Sequence, residues 1–208
     1  MSVLNRIAHF QNRRDEVPNQ ELARELAEKK DRDGIHEIAE NLWNKDKNIQ
    51  ADCIKVLYEI GYIDPALITD YAEDFLKLLK SRNNRLVWGG MTALSTIAEV
   101  WADFIHAHLH EILKAMNTGS VITVDNAVKT LALAASKEAY RPVIFPSLLD
   151  HLRTCRPKDV PQHAEKSLPA VDAGNKDEFI AALEKRMEDL SASQMTRIRK
   201  VIKTAATR

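Results

Sequence analysis

The sequence is poor in the two residues that most often form turns. It has 7 prolines and 6 glycines among 208 residues, about half of the usual combined share of roughly 12%. Sandwiches and barrels need many turns of this kind, so both architectures are disfavoured. Because 45% of the residues are hydrophobic and 29% are charged, the chain is expected to fold, and the scarcity of turn residues favours an all-α protein.

Cysteines, leader-like segments and long apolar runs are also scarce. Cys53 and Cys155 are far apart, and the segment MSVLNRIAHFQNRRDE lacks the continuous apolar stretch of a secretion signal,. We therefore expect a reducing, cytoplasmic environment. Apolar stretches such as residues 131–135 are far shorter than the ~20 residues of a membrane span, so none is expected.

The chain carries no excess of charge of either sign. Its 30 Lys and Arg residues balance 30 Asp and Glu residues. A neutral molecule has no overall field to attract nucleic acid or an anionic membrane, so such binding would need a local basic patch.

A repeat of 37 residues runs through the chain. The segments KVLYEIG, TALSTIA, KTLALAA and KSLPAVD have central leucines at equal intervals of 37 residues, namely Leu57, Leu94, Leu131 and Leu168. A second apolar series starts at intervals of 37, 37 and 36 residues, with Ile38, Phe75, Ile112 and Leu148 as its first members. Two interleaved series with helical spacing predict a repeated helical hairpin.

The spacing predicts five helix pairs and a seam along which they stack. The pairs are 35–44 with 47–61, 65–80 with 84–99, 101–116 with 121–136, 141–154 with 159–172, and 176–190 with 192–206. A small residue stands four positions before each central leucine: Cys53, Gly90, Ala127 and Ala164. Small residues at one structural position allow neighbouring helices to approach closely.

These units resemble HEAT repeats, with first helices such as ALITDYAEDFLKLLK and FIHAHLHEILKAM and second helices such as GGMTALSTIA and DNAVKTLALAA. The resemblance implies an all-α, right-handed α-α superhelix: a HEAT-like solenoid of about five helical hairpins in one continuous domain. Residues 1–34 would form N-terminal capping helices, including a short amphipathic helix within 1–12. Residues 35–174 would form the repeats, and residues 175–208 a divergent capping repeat. Pro146 and Pro169 are expected to interrupt helices of the fourth unit.

The resemblance also implies that second helices line a concave face. The candidate contacts on that face are Lys55, Trp88, Asn126, Lys129, His163 and Lys166. Two positions before the central leucines stand Lys55, Thr92, Lys129 and Lys166, and the lysines of this series could receive phosphates or an acidic peptide,. The alternative is a solvated position where lysine is simply a good helix former. Trp88 is the best single candidate for an exposed anchor.

The last helix is strongly basic. Its stretch RIRKVIKTAATR includes Arg197, Arg199, Lys200 and Lys203 and has no acidic residue. A basic amphipathic helix can bind nucleic acid, an anionic lipid surface or an acidic partner. The alternative is a capping helix whose outer side is basic.

One histidine cluster gives a weak metal-site candidate. Along a continuous helix, Asp103, His106 and His110 would project from one side at positions i, i+3 and i+7. The resemblance places this first helix on the convex side, and no pattern of supporting residues accompanies the three side chains, so we expect no metal at this site. We also expect no cofactor in the protein.

The sequence contains no motif that we can assign to catalysis, such as a glycine-rich phosphate loop, a nucleophile elbow or a paired-carboxylate motif. We therefore expect a non-enzymatic scaffold that binds an unidentified peptide, helix or protein partner on its concave face. The alternative is a nucleic-acid-binding protein of the HEAT-like DNA glycosylase type, which removes alkylated bases. Residues that could serve this function lie on the second helices of the repeats: Trp88, Asp125, Lys129 and Lys166. The overall neutrality of the chain disfavours tight binding to duplex DNA.

Overall fold

The computed structural model describes residues 2–208, and within them it contains twelve α-helices, seven 3₁₀ helices and no β-strand. None of the helices there is long and apolar enough to cross a membrane. The α-helices are α1 Val17–Lys29, α2 Arg32–Glu40, α3 Lys47–Ile63, α4 Ala72–Leu78, α5 Asn84–Ile97, α6 Ala102–Ala107, α7 Leu109–Thr118, α8 Val121–Ala134, α9 Arg141–Thr154, α10 Val160–Ser167, α11 Lys176–Arg186 and α12 Ala192–Ala206. The 3₁₀ helices are Leu4–Arg6, Asn41–Trp43, Pro65–Leu67, Thr69–Tyr71, Pro157–Asp159, Leu168–Ala170 and Met187–Asp189.

The predicted succession of helices is confirmed, with local differences. The expected helix at 101–116 is broken between α6 and α7, and the expected helix at 65–80 begins with two 3₁₀ turns. Asp64 caps the first of these turns, because its carboxylate accepts a hydrogen bond of 3.2 Å from the backbone N–H of Ala66. The prediction for Pro146 was wrong, since α9 continues through it. Pro169 does lie beyond the end of α10, inside a 3₁₀ turn.

The amphipathic helix expected within residues 1–12 is reduced to the 3₁₀ turn Leu4–Arg6. Side chains from other helices take the backbone donors that a continuous helix would use. Glu37 accepts from the N–H of Val3 at 2.9 Å, Asn19 accepts from Ala8 at 2.9 Å, and Asp52 accepts from His9 at 2.7 Å. Each donor is thus satisfied without helical structure.

The chain divides into two compact units. Unit 1 comprises Met1–Trp101 with His110–Ala127, and unit 2 comprises Ala102–Leu109 with Val128–Arg208. This division differs from the expected boundaries after residues 34 and 174, which remain a prediction.

Unit 1 is built on α3, which packs against α1, α2 and α5, while α4 packs on α5. Its core contains the repeat positions Leu57, Phe75 and Leu94, each fully buried. The small-residue position is also buried here. A Cβ atom added to Gly90 would lie 2.8 Å from the carbonyl oxygen of Phe75 and 3.0 Å from the Leu78 Cβ. Only glycine fits this close approach without displacing a neighbour.

Unit 2 contains α9 to α12, in which α9 packs against α10 and α11, and α12 packs against α10 and α11. Leu148, Leu152 and Phe179 belong to its core, with Ala164 at the small-residue position. Helix α12 starts with a reciprocal capping box between Ser191 and Gln194,.

Candidate functional site

Lys55 lies on α3 but is not a free surface cation. Its Nζ is 2.7 Å from Glu16 Oε2 and 2.6 Å from Glu59 Oε1, and the residue is only 8% exposed. Burial alone would lower the pKa of Lys55, but its hydrogen bonds to Glu16 and Glu59 outweigh this effect and raise the pKa above the usual value. An approaching anion would meet two carboxylates beside this ammonium group. Lys55, the first lysine of the predicted series, is therefore not available to bind an anion.

One aromatic ring contacts the same lysine, and two more rings pack against that ring. Its Nζ lies 4.9 Å from the centroid of the Tyr58 ring, within cation–π range,. The Tyr58 ring centroid is 6.0 Å from that of Tyr62 and 6.2 Å from that of Trp88. Tyr58 is buried, Tyr62 is 52% exposed and Trp88 is half-buried. We call this cluster the aromatic–carboxylate surface, and it consists of Glu16, Lys55, Tyr58, Glu59, Tyr62 and Trp88.

The tyrosines of this surface remain neutral around pH 7. Burial raises the pKa of Tyr58 to about 12, although the positive charge of Lys55 opposes this shift. Burial also raises the pKa of Tyr62, with a smaller contribution from the Glu59 carboxylate. Both rings therefore offer uncharged aromatic faces. The net charge of the surface is one negative charge, because two carboxylates stand against one ammonium group.

Asn126 is engaged within unit 1. Its Nδ2 donates hydrogen bonds of 3.0 Å to Thr92 Oγ1 and 3.0 Å to the carbonyl oxygen of Ile122. The Thr92 hydroxyl in turn donates to the carbonyl oxygen of Trp88 at 2.7 Å. This chain of bonds holds the helix segment that carries Trp88.

Lys129 and Lys166, both half-buried in unit 2, influence each other electrostatically. Burial lowers the pKa of Lys129, and the positive charge of Lys166 lowers it further. The structure thus brings two of the predicted lysines near each other.

His163 is 2% exposed, so the prediction that it contacts a partner at the surface is wrong. Its Nδ1 lies 2.9 Å from Nε2 of His151, and the two nitrogens share a hydrogen bond. Cys155 completes the group: the ligand atoms of His151, Cys155 and His163 all lie within 4.8 Å of one another. Sequence reasoning missed this cluster, although the spacing of His151 and Cys155 by four residues at the end of a helix is a usable signal.

The weak metal candidate at Asp103, His106 and His110 depended on one continuous helix. The chain instead leaves α6 at Ala107 and starts α7 at Leu109. The His106 ring stacks on Tyr140, with 5.0 Å between the ring centroids. Asp103 and His106 therefore share α6, whereas His110 belongs to α7.

The basic residues of α12 differ in their surroundings. Arg197 forms two hydrogen bonds to Glu165, at 2.9 and 2.7 Å. Arg199, Lys200 and Lys203 are exposed. Ile198 and Val201 of the same helix are buried, which fits a helix that covers the core of unit 2,.

A second basic feature lies in unit 1. A cleft of about 510 Å³ is lined by one exposed aromatic residue, several cations and no acidic residue. Trp43 at its edge is 51% exposed. Its cationic lining residues are Lys47, Lys77, Lys80 and Arg82, and Lys77 also contacts Asp74 at 3.2 Å. We call it the basic cleft.

Neither a protein-family model nor a curated protein sequence matches the chain, but solved structures do. An engineered protein matches over 100% of both chains, with a TM-score of 0.68 and 18% identity. A designed armadillo repeat protein, solved in complex with the peptide (KR)4, matches over 89% of this chain and 86% of its own, with a TM-score of 0.68 and 14% identity. A mutant of Kap121p matches over 80% of this chain and 18% of its own, with a TM-score of 0.56 and 16% identity.

These similarities establish the fold. The chain has the all-α repeat fold of armadillo and HEAT-like solenoid proteins, as the sequence predicted.

Proposed function

We propose that the protein is a non-enzymatic scaffold that binds an extended basic peptide segment of a partner on the aromatic–carboxylate surface. The observation that carries this proposal is the placement of two carboxylates and the Tyr58 ring against one internal lysine, with the rings of Tyr62 and Trp88 packed on Tyr58. Lys55 occupies the environment that a lysine or arginine of a peptide would require: paired oxygen acceptors and an aromatic face.

The charges favour a basic partner over an acidic one. Glu16 keeps 48% of its side chain exposed and Glu59 keeps 22%. Because their two negative charges exceed the single positive charge of Lys55, the group keeps one net negative charge that attracts an incoming cation. Tyr62 and Trp88 extend the aromatic area beside it. Aromatic residues of this kind dominate the affinity of peptide-binding surfaces.

The similar structures add support at the level of the fold. Repeat solenoids present extended surfaces that suit peptides, and the designed armadillo protein of this fold was solved in complex with the peptide (KR)4. We extend this property to the present chain as a proposal, on the strength of its own carboxylates and aromatic rings.

The test is the binding of fluorescently labelled (KR)4 peptide, followed by anisotropy at low salt. We expect Trp88→Ala to weaken binding by about 10-fold, the usual effect of removing an aromatic hot-spot residue. Trp43→Ala is the matched control, since it removes an exposed tryptophan outside this surface. Thermal melting shows whether each variant is folded. Equal affinities of the wild type and a folded Trp88→Ala variant would contradict the proposal, as would undetectable binding to the wild type.

A second candidate function is the binding of single-stranded nucleic acid in the basic cleft. The specific observation is an exposed tryptophan beside four cations without an acidic neighbour in the lining. Stacking of bases on an aromatic ring beside a cationic groove is the usual mode of sequence-independent binding. A labelled oligouridine tests it: Trp43→Ala should weaken binding and Trp88→Ala should not. Unaffected binding in both variants would eliminate this candidate.

The glycosylase alternative has a separate test. Incubation with alkylated duplex DNA, followed by detection of abasic sites, measures this activity directly. We expect no base release above that of a heat-inactivated control. Release that depends on Asp125 would make the protein an enzyme and overturn the scaffold proposal.

A further inference from the structure

We propose that His151, Cys155 and His163 form a binding site for a zinc-class divalent transition metal ion, with a fourth coordination position open to solvent. This site is independent of the proposed peptide surface, because all three residues belong to unit 2. Its ligands would join α9 to α10.

The geometry carries the proposal. Cys155 is the C-cap of α9 and His151 lies four residues before it, so the two side chains project from the same side of the helix,. His163 projects from α10 towards them. The three ligand atoms lie within 4.8 Å of one another, and the two imidazole nitrogens are 2.9 Å apart. Zinc bonds of about 2.0–2.1 Å to nitrogen and about 2.3 Å to sulfur place ligand atoms about 3.3–3.7 Å apart in a tetrahedron. Small side-chain rotations bring the cluster to that geometry.

The ligand chemistry selects the class of metal. Two imidazoles and a thiolate suit zinc and related borderline or soft ions, whereas magnesium and calcium require oxygen ligands. Three protein ligands with one solvent position is an arrangement that zinc adopts in open sites. His151 and Cys155 are half-buried, so an ion can reach the site from solvent.

The protonation states fit metal binding. The 2.9 Å hydrogen bond between Nε2 of His151 and Nδ1 of His163 requires one of these two nitrogens to act as acceptor, so that nitrogen carries no proton,. A metal ion takes the place of the proton between Nε2 of His151 and Nδ1 of His163, and each ring then carries its proton on its other nitrogen. The thiol of Cys155 loses its proton to solvent when the sulfur–metal bond forms. The net reaction releases one proton for each ion bound.

Two charged residues support the cluster from outside. The Arg186 guanidinium donates to the carbonyl oxygens of Leu152 at 2.6 Å and Cys155 at 2.8 Å, which fixes the backbone that carries the thiol. These bonds place the positive charge of Arg186 beside Cys155, where a cation favours the thiolate,. Arg186 itself contacts Asp189 at 3.3 Å. The Asp159 carboxylate acts electrostatically on both His151 and Cys155, and it is paired with Arg156 at 2.7 Å.

The competing explanation is that the two histidines form only a structural hydrogen bond. Titration calorimetry of untagged, metal-stripped protein with Zn²⁺ distinguishes the two. We expect one Zn²⁺ per chain and release of about one proton, measured by repeating the titration in buffers of different ionisation enthalpy. Cys155→Ser should weaken the affinity at least about 10-fold, since even loss of an outer-shell residue costs 10–100-fold. His110→Gln is the matched control, because it removes an exposed histidine outside the cluster.

Cobalt substitution distinguishes binding at this cluster from non-specific binding elsewhere on the surface. We expect Co²⁺ to produce a thiolate-to-cobalt charge-transfer band that is lost in Cys155→Ser and retained in His110→Gln. His151→Gln is a second variant, for use if Cys155→Ser does not fold. Three results would each overturn the proposal: no stoichiometric Zn²⁺ binding, binding that is lost in His110→Gln but not in the cluster variants, and a cobalt adduct without the thiolate band.

Discussion

Asn126 Nδ2 donates a hydrogen bond of 3.0 Å to Thr92 Oγ1, and the Thr92 hydroxyl donates to the carbonyl oxygen of Trp88 at 2.7 Å. Helix α5 is thereby linked through polar side chains to the part of α8 that lies in unit 1, at a position where Thr92 is only 4% exposed. The backbone that carries Trp88 is held by the same bonds. The rigidity of the aromatic–carboxylate surface consequently depends on residues that contact no ligand in our proposal.

The first prediction concerns this link. Asn126→Ala should lower the free energy of unfolding by about 0.5–1.5 kcal/mol, because the hydroxyl of Thr92 loses its donor. Urea denaturation measures the change. Asn84→Ala, at an exposed asparagine at the start of α5, is the control and should have a smaller effect. If the two variants were equally stable, the bond would contribute nothing to unit 1.

Gly90 provides the second prediction. Alanine is the better helix former by ~1 kcal/mol, yet its Cβ would lie 2.8 Å from the Phe75 carbonyl oxygen. We expect Gly90→Ala to destabilise the protein by about 1–3 kcal/mol, as overpacked cores do. At Gly174 an added Cβ would meet its nearest atom at 3.4 Å, so Gly174→Ala should be almost neutral. A Gly90→Ala protein as stable as the wild type would show that α4 and α5 can separate without cost.

The third prediction is a dependence of stability on pH. Burial and His163 lower the pKa of His151 to about 4 in the folded protein, whereas an unfolded histidine has a pKa of about 6.5. Between pH ~4 and ~6.5, His151 is therefore protonated in the unfolded state but neutral in the folded state,. The stabilising contribution of the neutral imidazole is therefore complete above pH ~6.5 and lost as the pH falls towards ~4.

His151→Gln should accordingly flatten the pH dependence of unfolding between pH ~6.5 and ~4, when urea denaturation is carried out with a chelator. His110→Gln should retain the wild-type slope. A slope in His151→Gln identical to that of the wild type would mean that His151 titrates normally in the folded state.

Helix α12 gives the fourth prediction, which separates packing from charge. Ile198 is fully buried, so Ile198→Ala should cost about 2–5 kcal/mol in unfolding free energy. The triple change Arg199→Gln, Lys200→Gln, Lys203→Gln affects exposed residues only and should alter stability by at most about 0.5 kcal/mol. That pattern is expected of a capping helix. A triple variant as unstable as Ile198→Ala would show instead that the charges hold the helix in place.

Much of the fold could be predicted from the sequence because the same packing contacts recur in successive hairpins. The 37-residue interval between Leu57, Leu94 and Leu131 reflects equal contacts in successive hairpins, and all three leucines are fully buried. The small-residue position at Gly90 was predictable for the same reason. The break between α6 and α7 and the lost helix near the N-terminus were not, because they depend on tertiary contacts such as those of Asn19 and Asp52 with the backbone.

The sites were harder to predict because surface chemistry depends on which neighbours a residue meets. The column of lysines was visible, but the pairing of Lys55 with Glu16 joins residues far apart in sequence. Of its partners, Glu59 alone stands at the i+4 position that sequence could have indicated. The burial of His163 against His151 likewise depends on how α10 packs on α9.

The most direct test of the account is whether one substitution, Lys55→Gln, raises or lowers the affinity for the (KR)4 peptide. Lys55→Gln removes the cation that competes with a peptide for Glu16, Glu59 and the Tyr58 ring. In the anisotropy titration with labelled (KR)4, we predict that this variant binds about 2-fold to 5-fold more tightly than the wild type, corresponding to about 0.5–1 kcal/mol, because the Glu16 carboxylate is partly exposed to solvent,. Thermal melting confirms that the variant is folded. Weaker binding of (KR)4 by the folded Lys55→Gln protein would contradict the account, since it would mean that Lys55 assists the peptide and does not stand in its place.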